Sequence, residues 1–225
     1  MTAPYFCSYL HAANEAYEMH EFERLTAELS ARLWRNYGIN TYKYWASGKI
    51  QALMRIQAPC ALVDMDLLVW HPLELDRYAL AAAHTEPLRP DIYPLADFFC
   101  VDEDYVFPCG WDWQAKPLNT SIVYFSEESF KEYYAHEAIR FMQSEKETPD
   151  DGSICMVFAE QRILAMCAAQ RGILPHTFFK YEDLCCGQDL FTHLWSAKRL
   201  LRNDRQLADR YCEICRDKIL QLNNV

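Results

Sequence analysis

Asp64-Met65-Asp66 is the stretch of this chain whose residue types and spacing point most directly to chemistry. In extended backbone, residues two apart point to the same side, ~6.5 Å apart at ~3.3 Å per residue. Two carboxylates presented together suit a hard divalent cation, and such a cation in turn holds phosphate oxygens. The pair stands between two apolar runs, Cys60-Ala61-Leu62-Val63 and Leu67-Leu68-Val69-Trp70, and Pro72 stops the second. A second pair, Asp102 and Asp104, follows Phe98-Phe99-Cys100-Val101. It reads as a loop at a strand end with solvated acids.

Continuous apolar runs of this length suit strands buried on both faces, as in parallel sheets. Open α/β sheets bind ligands at the carboxyl ends of their strands, which is where Asp64 and Asp66 would stand. Glu15 to Tyr37 has helical periodicity through Phe22, Leu25, Leu29 and Leu33, with Gly38 as its C-cap. A second helix runs from Tyr44 to Met54, and Ala58-Pro59 breaks it. Ala79 to Ala83 is a short strand. His84 to Lys116 is a long irregular region with Pro87, Pro90, Pro94, Pro108, Trp111 and Trp113. Loops this long are uncommon unless they have a function. Leu118 to Phe125 has the β-branched and aromatic content of a strand. Ser126 reads as an N-cap, with a helix from Ser129 to Gln143 behind it. After a turn at Asp150 to Ser153, a helix runs from Ile154 to Arg171 and ends at Gly172. Phe178 to Tyr181 is a short strand, and a C-terminal helix covers about 203–220. Helices alternating with a few strands give an α/β fold in one domain over 1–225.

The composition excludes several classes. Half of the 225 residues are hydrophobic, with 14 Tyr and 12 Phe, so a sizeable core is available. A net charge of −10 argues against nucleic acid or an anionic membrane as the main partner. No apolar run approaches the ~20 residues of a membrane span. The first residues lack the basic start and apolar stretch of a signal peptide, which predicts a cytoplasmic protein. The ten cysteines then read as buried free thiols. Cys212 and Cys215 have zinc-ligand spacing but no matching second pair. His11, His20, His71, His84, His136 and His176 have no partner at metal-ligand spacing and read as structural or surface residues.

Five segments fall in an order that resembles GT-A-fold glycosyltransferases, in particular their glycogenin-like and capsular-transferase-like relatives. They are Trp45-Ala46-Ser47-Gly48-Lys49-Ile50, Asp64-Met65-Asp66, Leu118-Asn119-Thr120-Ser121, Ala159-Glu160-Gln161-Arg162 and His193-Leu194-Trp195-Ser196-Ala197-Lys198. Ser121 and Ser196 stand where glycine is common in the family. The resemblance implies a mixed, mainly parallel sheet flanked by helices. It implies a manganese or magnesium ion held by Asp64, Asp66 and His193, with imidazole favouring manganese. Lys49, Asp64, Asn119 and Lys198 would bind the donor. Glu160 and Gln161 would bind sugar hydroxyls, or orient or deprotonate an acceptor. The implied activity is hexosyl transfer from a nucleotide-sugar to an unknown acceptor.

The family places a nucleotide-side strand before its first long helix. Here only Ala3 to Leu10 precedes the helix near Glu15, and the next such strand shrinks to Ile39-Asn40-Thr41-Tyr42. The nucleotide half thus reads as reduced, with a shallow base pocket. A gap in the sheet would be covered by Tyr5 to Leu10 or by a second copy of the chain, hence a homodimer. A degenerate transferase-like binding protein and a metal-dependent phosphohydrolase remain as alternatives.

Overall fold

The computed structural model describes residues 38–146, 153–183, 190–194 and 197–222. The helix expected over Glu15 to Tyr37, the segment Tyr5 to Leu10, the turn at Asp150 to Gly152, and Trp195 and Ser196 lie outside them. The described residues form a mixed α/β structure: a small mixed sheet, a two-stranded ribbon and flanking helices.

The elements in chain order are helix α1 (Ser47–Leu53) and strands β1 (Cys60–Val63), β2 (Leu67–Val69), β3 (Leu80–Ala82) and β4 (Ile122–Phe125). Helix α2 (Glu128–Ser144) follows, then α3 (Ile154–Val157), a π-helical turn (Phe158–Arg162) and α4 (Ile163–Gln170). Strands β5 (His176–Thr177) and β6 (Phe191–His193) precede α5 (Ala197–Asn203) and α6 (Arg205–Leu222). The sheet order is β1-β4-β3-β5, and β2 pairs with β6.

A mainly parallel sheet was the expectation; the described strands pair differently. β4 is central and antiparallel to both β1 and β3, and only β3 and β5 run parallel. The β2–β6 ribbon is antiparallel as well. All four residues of β4 are buried, so its continuous apolar run is real. Such a run reports burial on both faces and carries no information about strand direction. Because β1 and β3 flank an antiparallel β4, both end on the edge where β4 begins, and that edge carries Asp64, His84 and Asn119.

The core forms between this sheet and the helices behind it. α2 buries Phe130, Tyr134, Ala138, Ile139, Phe141 and Met142 at helical spacing. Tyr134 stacks on Phe125 at 5.8 Å, and Phe141 meets Phe158 at 4.8 Å. Ser126 does not cap α2, contrary to the expectation. Its hydroxyl and its N–H both donate to Ala79 O at 3.1 Å, tying the end of β4 to β3. The helix after Ser153 ends at Gly172, as expected. Gly172 has φ +66°, and its N–H and that of Ile173 donate to Ala169 O and Ala168 O. Only glycine takes this left-handed turn at little cost.

The long region after His84 is irregular but firmly packed. Phe99 meets Phe158 at 4.3 Å with the rings tilted, and Phe107 meets Trp113 edge-on at 5.5 Å. Arg162 is fully buried, and its guanidinium donates to the carbonyls of Trp113 and Ala115. The π-helical turn that carries Arg162 therefore anchors the loop from inside. The strand expected at Phe178 to Tyr181 is instead the short β5, with a 3₁₀ turn at Tyr181–Asp183.

Candidate metal centre

β1 ends at Val63, and Asp64 extends its ladder by one bond, its N–H donating to Ser121 O at 2.8 Å. The chain then turns, with Leu67 N–H donating to Asp64 O at 3.0 Å. This turn throws Met65 into solvent, 94% exposed, and leads Asp66 into β2. The ribbon register sets Leu67 opposite His193, and Leu194 N–H donates to Asp66 O at 2.9 Å. One ligand atom from each of Asp64, Asp66 and His193 then lies within 4.8 Å of the other two, and all three residues are half-buried. Two carboxylates and an imidazole can hold a divalent cation. The pair Asp64/Asp66 and the distant His193 are thus brought together as the sequence predicts.

The charges around this group are closely matched. Lys198 Nζ lies 2.6 Å from Asp66 Oδ2, and His193 Nε2 lies 3.5 Å from the same oxygen. Burial alone would raise the Asp66 carboxyl, but the Lys198 hydrogen bond and the neighbouring His193 and Lys198 charges outweigh it and hold it below its usual value. Burial pushes the His193 imidazole down, against the pull of Asp66 and Asp64. A depressed imidazole is neutral at pH 7 and offers a nitrogen lone pair, as a metal ligand must.

Lys49 links this corner to the π-helical turn. Its Nζ lies 2.6 Å from Asp64 Oδ1, pairs with Glu160 Oε1, and donates to Thr120 O at 3.3 Å. Burial works to lower the Lys49 pKa, but Glu160 and Asp64 outweigh it and leave it raised. Glu160 is 5% exposed, and its own carbonyl accepts the Tyr134 hydroxyl at 2.8 Å. Its carboxylate therefore holds Lys49 in this geometry. The Gln161 side chain turns to Tyr93, whose hydroxyl donates to Gln161 Oε1 at 2.6 Å. π-helical turns insert a residue and re-aim side chains, and they concentrate at functional sites. Here the turn points Glu160 at Lys49 and Arg162 at the loop.

Asn119 is buried just before β4. Its Nδ2 donates to Glu86 Oε1 at 3.0 Å, and its Oδ1 accepts Ser121 N–H at 3.1 Å. Its backbone bonds to His84 O and Ala83 N–H at the end of β3. Asn119 therefore stands on the edge that carries Asp64, one strand over. Ser121 Oγ, opposite Asp64 in the ladder, is buried with no hydrogen-bond partner among the described residues. Directly opposed residues share a face. This hydroxyl is therefore a free polar group on the Asp64 side of the sheet.

Two residues of this surround were not singled out from the sequence. Glu86 is mostly buried and carries no lysine or arginine partner among the described residues; its neighbours are Asn119 and His84 Nε2, the latter at 3.7 Å. His84 is 3% exposed, packs on Phe179 at 4.9 Å, and adds to the field that depresses His193. It is not a surface residue. The one sequence cue for both was their place directly after Leu80-Ala81-Ala82-Ala83, at the end of an apolar strand.

The second acidic pair behaves as the sequence suggests. Asp102, Glu103 and Asp104 are exposed, and Asp102 pairs with Lys146 at 2.9 Å. Cys212 and Cys215 lie on α6, outside any metal-capable group among the described residues. Cys60 and Cys167 are buried free thiols as expected and Cys155 is buried, whereas Cys100, Cys109 and Cys212 are exposed. No helix among the described residues is long and apolar enough to cross a membrane. No protein-family model matches the chain, and no curated protein or solved structure matches it either.

Proposed function

We propose that this protein is a divalent-cation-dependent glycosyltransferase of GT-A-like fold that moves a hexosyl group from a nucleotide-sugar to an acceptor hydroxyl. The observation that carries this reading is the convergence of Asp64, Asp66 and His193 at one sheet edge, with Lys49 and Lys198 directly against them. Carboxylates for a cation beside ammonium groups for phosphate are what a diphosphate leaving group requires.

Asp64, Asp66 and His193 are the ligands for manganese or magnesium. A bound cation neutralises the diphosphate and makes it a better leaving group. Lys49 and Lys198 reach phosphate oxygens as point charges. Glu160 positions Lys49 from behind, and Tyr93 fixes Gln161 beside it. Asn119 offers its carboxamide, and Ser121 its free hydroxyl, to the hydroxyls of the sugar. Glu86, which has no lysine or arginine partner among the described residues, is the group suited to accept a hydrogen bond from an acceptor hydroxyl. The pairing of Glu160 with Lys49 makes it the poorer candidate for that role.

The test is release of nucleoside diphosphate from a panel of UDP- and GDP-sugars, with and without manganese. The expected result is manganese-dependent release that Asp66→Asn abolishes. Phosphate release from simple phosphoesters instead would make the protein a phosphohydrolase. Cation-dependent sugar-nucleotide binding without turnover would make it a degenerate, transferase-like binding protein.

A further inference from the structure

Each carboxylate of the acidic pair already holds an ammonium group. Lys49 takes Asp64 and Glu160, and Lys198 takes Asp66. Three carboxylates face two lysines, and the carboxylates a cation needs, Asp64 and Asp66, are the same groups that the lysines hold. A divalent cation arriving alone must displace these groups and then sit against two like charges. Like charges a few ångströms apart at a partly buried site repel far more strongly than they do in bulk water. A diphosphate arriving alone meets unshielded carboxylates once the lysines turn away from them. Arriving together, the two resolve each other: the cation takes the carboxylate oxygens, and the ammonium group it frees takes a phosphate oxygen.

We propose that the site binds a divalent cation and a diphosphate-bearing anion as one unit, with Lys198 as the internal cation that holds Asp66 against a lone metal ion. The proposal rests on the reading of Asp64, Asp66 and His193 as a metal centre. Lys198 is the group able to exchange. Its side chain is 51% exposed, against 25% for Lys49, and Asp66 is its one carboxylate partner among the described residues, whereas Lys49 is clamped between two. Its long flexible stem lets the same ammonium serve either partner. Coupling of this kind is reciprocal: whatever factor the anion adds to cation affinity, the cation adds to anion affinity.

The experiment is calorimetric titration of the full chain with manganese, alone and with inorganic pyrophosphate, corrected for the complex that the two form in solution. The wild-type protein should bind manganese weakly alone and at least about tenfold tighter with pyrophosphate. Lys198→Met should bind manganese alone about tenfold tighter than wild type, and lose most of the enhancement by pyrophosphate. Lys198→Arg keeps the charge and should keep the wild-type pattern. Thermal melts of both variants check that they fold, as a half-exposed position permits. If Lys198→Met binds manganese alone no tighter than wild type, while Asp66→Asn abolishes that binding, the exchange is wrong and the metal centre stands. If Asp66→Asn binds manganese as well as wild type does, with and without pyrophosphate, the metal centre itself is wrong.

Discussion

His193 Nε2 lies 3.5 Å from Asp66 Oδ2, and the pairing of Leu67 with His193 across the β2–β6 ribbon is what puts it there. Side chains alternate along a strand, so a slip of one residue would turn His193 to the other face. The small apolar cluster of Leu67, Ala83, Ile122 and Phe191 opposes that slip, because Phe191 would leave it. The metal-capable geometry and the packing of the ribbon are therefore one and the same constraint.

The two acidic pairs should respond differently to the same substitution. Asp66→Asn removes a cation ligand and should weaken manganese binding at least about tenfold, a small part of what a lost charged ligand can cost. Asp102→Asn breaks an exposed pair with Lys146 and should leave binding unchanged, since such pairs contribute about 0–1 kcal/mol. Calorimetry on both variants separates them. Equal losses would refute the assignment to Asp66.

Lys49 should be tested through its charge. Lys49→Met leaves Glu160, 5% exposed, without its partner and should destabilise the fold by about 1–3 kcal/mol in denaturant melts. The paired change Lys49→Met with Glu160→Gln should recover part of that loss. Because the folded-state pKa of Lys49 is raised, its stabilising contribution is fully present at neutral pH and is lost only as pH climbs above 10.5 through the folded value. In pH-dependent melts, wild type should therefore lose its advantage over Lys49→Met only in strong alkali. A gap that closes near neutral pH would contradict the ion-pair account.

Glu86 separates metal binding from catalysis. Glu86→Gln retains an oxygen for Asn119 Nδ2, so the fold and manganese affinity should stay close to wild type. Turnover with a working donor and acceptor should fall by about 10²-fold or more, the range for a lost acid–base group. Unchanged turnover would return the role to Glu160 or to a group outside this edge.

Arg162 is a structural prediction. Arg162→Met leaves the carbonyls of Trp113 and Ala115 unbonded inside the core and should cost about 2–4 kcal/mol. Amide exchange should quicken between residues 108 and 118 before it quickens in α2. Uniform loss of protection across the chain would show that the loop and core unfold as one unit.

Much of this molecule is legible in its sequence, and what failed did so for identifiable reasons. Apolar runs marked β1, β3 and β4, and Gly172 ended α4, because burial and local backbone geometry leave compositional traces. The acidic pair was visible because the chain itself puts Asp64 and Asp66 two residues apart. Strand direction left no trace, since an apolar run buries equally well parallel or antiparallel, and β4 proved antiparallel to both neighbours. Ser126 looked like a cap because hydroxyl residues favour that position, yet the Ala79 carbonyl competed for it successfully. Residue types and spacing made Asp64 and Asp66 candidates, and the resemblance of five segments to a known family added Lys49, Asn119, Glu160, His193 and Lys198. Only the tertiary structure decided who holds whom. Glu160 clamps Lys49 because a π-helical turn shifts its helix face, His84 and Glu86 enter because β3 ends beside β4, and Lys198 meets Asp66 because the ribbon brings the C-terminal helices to that edge. These are contacts between residues far apart in sequence, fixed by packing rather than by any local preference.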